Sequence, residues 1–149
     1  MAVRAMMALA AWAAAILAGQ IWAVQAAAAT GGPSQVGVEL NRLEQRDGAC
    51  RAYLVMDNRT DARFGSFKLD LILFDADGVV ARRMALETGP LRPRKTTVKL
   101  FDVDGLGCVG IGRMLVNDVL ACEQDEKGAL SDCVDLLATS SRAATPLVK

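Results

Sequence analysis

The stretch FKLDLILFDADGVV, residues 67–80, gives the clearest structural signal in the chain. Residues 67, 69, 71 and 73 are all apolar, and this period of two places them on one face of an extended backbone. The stretch is therefore predicted to begin with a half-buried β-strand. That strand ends at Asp75–Gly78, an Asp-x-Asp-Gly segment that is typical of a tight turn because Asp and Gly tolerate positive φ.

The same alternation recurs along the chain, and Gly, Pro, Asn and Asp cluster between the alternating segments. Short strands separated by regular turn signals predict an all-β fold, namely an immunoglobulin-like antiparallel β-sandwich of six to seven strands. We expect this sandwich to occupy residues 34–123. Besides the strand that starts at Phe67, the predicted strands are Val36–Leu40, Cys50–Met56, Val79–Glu87, Thr96–Val103 and Ile111–Cys122.

The segment Leu71–Val80 resembles the central motif of FxLYD-type bacterial sandwich domains, in which an aromatic-rich strand ends in Asp and a tight Asp-Gly turn. The sequence departs from that motif at Leu71 and Phe74, where Phe and Tyr are usual. Residues 36–123 also resemble uncharacterised exported proteins of proteobacteria. The resemblance implies an immunoglobulin-like β-sandwich and no catalytic residues. Two flanking segments fit the same plan, Val55–Asn58 and Gly89–Leu91.

The N-terminus has the composition of an export signal. Arg4 is the only charged residue before residue 39, and Ala5–Val24 is apolar or small apart from Gln20. Cleavage after Ala26 or after Ala28 satisfies the requirement for small side chains at the cleavage site. We therefore predict a signal peptide over residues 1–28 and a periplasmic or secreted protein. The alternative is an uncleaved anchor, since about 20 apolar residues can span a bilayer.

The four cysteines, Cys50, Cys108, Cys122 and Cys133, all follow the predicted signal. An even number in a small exported domain predicts two disulfides. The chain has no Cys-x-x-Cys and no His, which argues against a zinc, haem or thioredoxin-like site. If six strands alternate in direction, Cys50 opens the second strand and Cys108 precedes the sixth at the same end of the sandwich. This geometry predicts a Cys50–Cys108 bond and leaves Cys122 to pair with Cys133.

Residues 124–149 are predicted to form a tail that the second disulfide holds to the sandwich. Ser131 is placed to cap a short C-terminal helix, with Leu130, Val134 and Leu137 on one face. After Thr139 the residues are mainly Ser, Arg, Ala, Thr and Pro, and we expect a frayed end.

Two Asp-x-Asp-Gly segments suggest a weak calcium site, because alternate carboxylates before a Gly can present oxygen ligands. Strand alternation places both segments at one end of the sandwich. The simpler interpretation is that each segment is only a tight turn. The four candidate ligands are Asp75, Asp77, Asp102 and Asp104.

The opposite end is predicted to be basic. Arginine pairs well with carboxylate and phosphate, so an anionic partner or lipid head group is one candidate ligand there. The alternative is a pair of solvated loops whose charge Asp57 and Asp61 partly balance. The five basic residues are Arg59, Arg63, Arg92, Arg94 and Lys95.

Three further polar segments stand out. Asn58–Thr60 matches the glycosylation sequon, although Asn at a strand-to-loop turn explains it equally well. Arg82-Arg83 lies in a predicted strand, where one Arg is expected to face solvent and the other to protect an edge from pairing with another chain. Asn117-Asp118 interrupts the last long strand and predicts a β-bulge there.

These features favour a non-catalytic role. The chain has no His to act as a base near neutral pH, no Gly-x-Ser-x-Gly motif and no phosphate-binding loop, and no cofactor is expected. Its formal net charge is +0 at pH 7, so no field attracts nucleic acid. We expect an exported binding or accessory domain whose partner is another envelope protein, with membrane contact only if the signal is uncleaved. The alternatives are a small hydrolase that uses the acidic end and a calcium-dependent adhesion module.

Overall fold

The computed structural model describes residues 35–125 and 127–149, which form two facing β-sheets. The predicted signal peptide lies outside the described residues. All six of the predicted strands are present, and most are longer than expected. The strands are β1 Val36–Arg46, β2 Ala49–Asn58, β3 Phe64–Phe74, β4 Val80–Glu87, β5 Lys95–Asp104, β6 Arg113–Gln124, β7 Gly128–Ala129, β8 Leu137–Ser141 and β9 Leu147–Val148.

The first sheet has the strand order β5-β2-β1-β8, and the second has the order β4-β3-β6-β7 with β9 also paired to β6. The six long strands pair in antiparallel fashion, whereas β8 is parallel to β1 and β9 is parallel to β6. The expectation of a purely antiparallel sandwich was therefore wrong, because the last two strands return to the sheets in parallel register.

The core lies between the sheets and follows the alternation seen in the sequence. In β3, residues 67, 69, 71 and 73 are each fully buried, as are residues 50, 52, 54 and 56 of β2. Phe64 and Phe67 pack edge to face with ring centroids 5.4 Å apart. Burying a large apolar side chain contributes about 1.5–3 kcal/mol, so this interior is the main source of stability.

Both predicted disulfides are present. Cys50 is bonded to Cys108, with Cα atoms 4.8 Å apart, and Cys122 is bonded to Cys133, with Cα atoms 6.4 Å apart. The first bond joins β2 to the 3₁₀ turn Cys108–Gly110 that precedes β6. The second joins β6 to the turn that precedes β8, so it holds the C-terminal strands against the sandwich.

The predicted C-terminal helix was wrong. Among the described residues of the tail there is only a 3₁₀ turn of four residues, Cys133–Leu136, and the chain then continues as β8 and β9 where a frayed end was expected. Leu137 and Leu147 are each at most 5% exposed and belong to the core. The open edges of β1 and β6 offer backbone hydrogen bonds that a short isolated helix cannot match.

The bulge predicted at Asn117-Asp118 is confirmed. Asp70 of β3 lies opposite Asp118, but the next residue, Leu71, lies opposite Val116, so Asn117 is the extra residue. A second shift between Lys68 and Leu69 leaves another extra residue in β6. These irregularities turn polar side chains of β6 towards the outer face of the second sheet.

No helix within residues 35–125 or 127–149 is long and apolar enough to cross a membrane.

Candidate functional site

The structure brings the two basic loops together at one end of the sandwich. The side chain of Asn58, which is fully buried, joins them. Its Nδ2 donates to the carbonyl oxygen of Ala62 at 2.8 Å and to that of Arg92 at 3.0 Å. Its Oδ1 accepts from the backbone N–H and the hydroxyl of Thr60 at 3.1 and 2.7 Å. The amide of Asn58 thus joins the loop after β2 to the loop before β5.

The buried position of Asn58 also decides between the two interpretations of the sequon. An amide that is 0% exposed and donates to two carbonyl oxygens has no free N–H for a glycan in the folded protein. The turn explains this Asn, and the signal for that role was its place at the end of a predicted strand.

Three of the five predicted basic residues already form ion pairs. Arg59 Nε lies 2.7 Å from Asp57 Oδ2, and Arg94 makes two hydrogen bonds, of 2.8 and 3.1 Å, to Asp61. These bonds lower the pKa values of both aspartates. Arg63 pairs with an acidic residue of the loop after β6, Asp125, at 2.9 Å. Arg92 and Lys95 form no ion pair within the described part of the chain. Anion binding at this end remains a prediction.

Two of the four aspartates proposed as calcium ligands are engaged in other contacts. Asp75 Oδ1 accepts hydrogen bonds from the backbone N–H groups of Asp77 and Val79 at 3.0 and 2.9 Å, as a turn residue does. Asp102 is bound by two nitrogens of Arg51 at 2.7 and 2.8 Å. Across residues 35–125 and 127–149, no group of three or more His, Cys, Asp or Glu side chains is placed to hold a metal ion.

A polar cluster lies on the outer face of the second sheet. Asp70 is 2% exposed although it points away from the core, because neighbouring side chains cover it. Arg83 binds both of its oxygens at 2.8 Å, and the amide of Asn117, the bulge residue, donates to Oδ2 at 2.7 Å. The bond from Arg83 holds the pKa of Asp70 below its usual range. The cluster joins β4, β3 and β6 and serves as a structural clamp.

A cleft of about 680 Å³ lies beside the first disulfide. Its lining includes Leu43, Ile111 and Val109, whose side chain is 96% exposed. Two arginines at its rim, Arg42 and Arg142, are already bonded to Glu44 and Glu39. The cleft therefore presents an apolar floor without an uncompensated charge.

The sandwich differs between its two lateral sides. On one side, β8 and β9 cover the edges of β1 and β6, and the Cys122–Cys133 bond lies beside them. On the other side, β4 and β5 are the last strands of their sheets, each hydrogen-bonded to one neighbour within the described chain. We call this second side the open side, defined by Val80–Glu87 and Lys95–Asp104.

Charged side chains of both edge strands point into the open side. Lys99 of β5 lies opposite the fully buried Leu54, so it faces inward, and its Nζ donates to the carbonyl oxygen of Gly89 at 3.0 Å. Arg82 of β4 lies opposite the buried Leu73, and its Nη2 is 3.7 Å from the place where a β-carbon on Gly105 would be. Neither cation has a carboxylate partner in the part of the chain that the structure describes.

The outer surface next to β5 is apolar in its middle. Val98 and Leu100 are 52% and 51% exposed, and they lie opposite Val55 and Tyr53 of β2. The Tyr53 hydroxyl donates to Glu44 at 2.6 Å; this bond, together with those from two arginines, Arg42 and Arg46, lowers the pKa of Glu44 to about 2. An apolar strip thus runs along the open edge with charged groups at its border.

The sequence interpretation missed this edge. It placed Thr96–Val103 in a strand without assigning its neighbours. One signal was present in the sequence. Lys95 and Lys99 occupy the same alternate positions of the strand as the apolar Phe101 and Val103, so all four side chains are expected on one face. A cation on the inward phase of a strand is a known mark of an unpaired edge.

Comparison with known proteins gives one structural likeness. No protein-family model matches the chain, and no curated protein matches it in sequence. The fold is similar to that of IrmA from Escherichia coli. The superposition with this solved structure has a TM-score of 0.53 at 15% sequence identity, and it covers 77% of the present chain and 97% of the IrmA chain. At that identity the likeness to IrmA concerns the fold alone, and the FxLYD resemblance rests on its motif.

Proposed function

We propose that this protein is an exported, non-catalytic binding domain of the cell envelope that holds another envelope protein. The open side of the sandwich is the observation on which the proposal rests. Its two edge strands offer unpaired backbone groups, and adding a strand from a partner is a common way for sheets to recognise peptides.

The two disulfides support the extracytoplasmic part of the proposal. Disulfides form and persist in oxidising compartments, and the described chain has no free cysteine. Two bridges also suit a domain of this size, because a small core benefits from covalent cross-links. A two-sheet β-sandwich of this kind presents edges and end loops on a rigid scaffold.

The experiment is cross-linking in intact cells that produce the full chain with a C-terminal affinity tag. We expect the purified protein to carry four oxidised cysteines and to be cross-linked reproducibly to one envelope protein. A protein that is found in the cytosol with four free thiols would contradict the export proposal. A monomer without any reproducible cross-link would contradict the binding role.

A further inference from the structure

Backbone geometry shows which groups of β5 face the open side. The N–H of Gly105 donates to the carbonyl oxygen of Gly48 at 2.7 Å, which makes this a hydrogen-bonded pair of the β2–β5 ladder. Hydrogen-bonded and non-bonded pairs alternate in an antiparallel ladder, and the β2–β5 register has no shift from Ala49↔Asp104 to Asn58↔Lys95. Residues 103, 101 and 99 therefore bond to β2, whereas the backbone groups of Val98, Leu100 and Asp102 point away from it.

The free edge is long and regular. β5 has ten residues, without proline and without a bulge in its pairing. The residues with outward backbone groups include the two half-exposed apolar ones, so an added strand would find hydrogen bonds and apolar contacts at the same positions. The intervening position is Lys99, which points into the open side.

We propose that the β5 edge binds an extended segment of a partner protein in which apolar and acidic side chains alternate. This inference rests on the proposed binding role and names its site and the chemistry of its ligand. Apolar side chains of the segment lie on the outer face beside Val98 and Leu100. The side chains between them point inward, where Lys99 and Lys95 carry charges that no described carboxylate compensates. Acidic residues there complete the electrostatics.

A second copy of this chain fits the edge less well. A two-fold axis would pair two β5 strands antiparallel and leave their outer faces on the same side of the joined sheet. The register that sets Val98 beside Leu100 of the second copy also sets the two Lys99 residues opposite each other. Like charges directly opposite in a ladder are destabilising. The inward lysine thus opposes self-association and favours an acidic partner.

The test measures binding of two labelled ten-residue peptides by fluorescence anisotropy. One peptide alternates valine with glutamate and the other alternates valine with lysine. We expect the protein to bind the glutamate peptide at least about tenfold more tightly, a ratio that one well-placed charge pair supplies. In Lys99→Glu we expect this preference to reverse. Lys68→Glu is the control, because it makes the same change of net charge on the outer face of the second sheet, and it should keep the wild-type preference.

A second variant tests the backbone. Val98→Pro removes an N–H that points outward and leaves the bonds to β2 intact, and proline is accepted at such edge positions. We expect it to lose binding of both peptides while keeping its circular dichroism spectrum. Equal affinity of the wild type for the two peptides would overturn the proposal, as would unchanged binding in a folded Val98→Pro. If that variant does not fold, the charge reversal in Lys99→Glu decides alone.

Sedimentation of the same samples tests the alternative occupant. We expect the wild type to be a monomer. A wild-type dimer that Val98→Pro dissociates would show that the edge takes a second copy and would overturn the proposal. Cross-linking to an envelope protein that Lys99→Glu and Val98→Pro leave unchanged would contradict this inference while leaving the broader binding role in place.

Discussion

Asn58 offers the sharpest test of how the two loops at the basic end are built. Replacing it by alanine removes its two short donated bonds, to the carbonyl oxygens of Ala62 and Arg92, a longer one to that of Leu91, and two accepted bonds from Thr60. A net hydrogen bond contributes about 1 kcal/mol, and a buried group left unpaired costs about 1–3 kcal/mol. Because Thr60 is partly exposed and can turn to water, we expect Asn58→Ala to lower the free energy of unfolding by about 3 kcal/mol.

Urea unfolding followed by far-ultraviolet circular dichroism measures this loss. For a small domain the slope is about 1–3 kcal/mol per molar urea, so the midpoint should fall by about 1–3 M. Asn41→Ala is the matched control, because Asn41 is exposed and its amide donates, among the described residues, to Glu39 alone. Its effect should stay within about 0.5 kcal/mol.

Equal midpoints for Asn58→Ala and Asn41→Ala would refute the reasoning. Asn58→Asp adds a second check, since it keeps the shape and the acceptor atoms of the side chain. At pH 7 it places a buried charge against two carbonyl oxygens, so its loss should be at least as large as that of the alanine variant.

Three other predictions concern the scaffold. The two disulfides close loops of different length, with sequence separations of 58 and 11 residues, and a longer loop loses more chain entropy when it is cross-linked. Removing the Cys50–Cys108 bridge by double alanine substitution should therefore cost about 4 kcal/mol and removing Cys122–Cys133 about 3 kcal/mol, as urea midpoints would show. The reverse order would contradict the loop-length argument. In Gly112→Ala the added β-carbon would overlap the backbone oxygen of Asp75 in the turn after β3. The melting temperature should therefore fall well below that of Gly65→Ala, where the nearest atom is a side-chain oxygen at 3.0 Å. Equal melting temperatures would contradict the close approach. The pKa of Asp70 is lower in the folded protein than in the unfolded chain. Its contribution to the free energy of unfolding is therefore present above about pH 4, its unfolded pKa, and disappears as the pH falls through the folded pKa. The difference in unfolding free energy between wild type and Asp70→Asn should shrink at acid pH, and a constant difference would contradict this.

Most of the six long strands were predictable because one face is buried and the other is not; in β4 the inward face is only partly buried, at Met84 and Leu86. The fully buried residues 67, 69, 71 and 73 of β3 show this most clearly. The disulfide pairing followed from strand direction, which needs only the count and order of the strands. Both inferences use signals that are local in sequence.

The C-terminal strands were not predictable in the same way. Leu130, Val134 and Leu137 have a spacing that is compatible with a helix face. Only the free edges of β1 and β6 make strands of the segments that contain Leu137 and Leu147. The candidate edge was missed for a related reason. The phase of Lys99 is visible in the sequence, but its meaning depends on β5 being the last strand of its sheet.

The end loops show a further limit. Arg59 and Arg94 pair with Asp57 and Asp61, which lie at the end of β2 and in the loop after it. Arg63 pairs instead with Asp125, a neighbour that the linear sequence does not indicate. Asp125 reaches Arg63 only because β3 and β6 are adjacent. Charge balance at a surface thus depends on long-range pairing.

Amide hydrogen exchange along β5, measured by nuclear magnetic resonance on the oxidised protein, tests the open edge most directly. We predict an alternating pattern in which the amides of Lys99, Phe101 and Val103 are protected while those of Val98, Leu100 and Asp102 exchange rapidly. Strong protection of all six amides in the isolated protein would show that the edge is already covered, and it would contradict the account of a free binding strand.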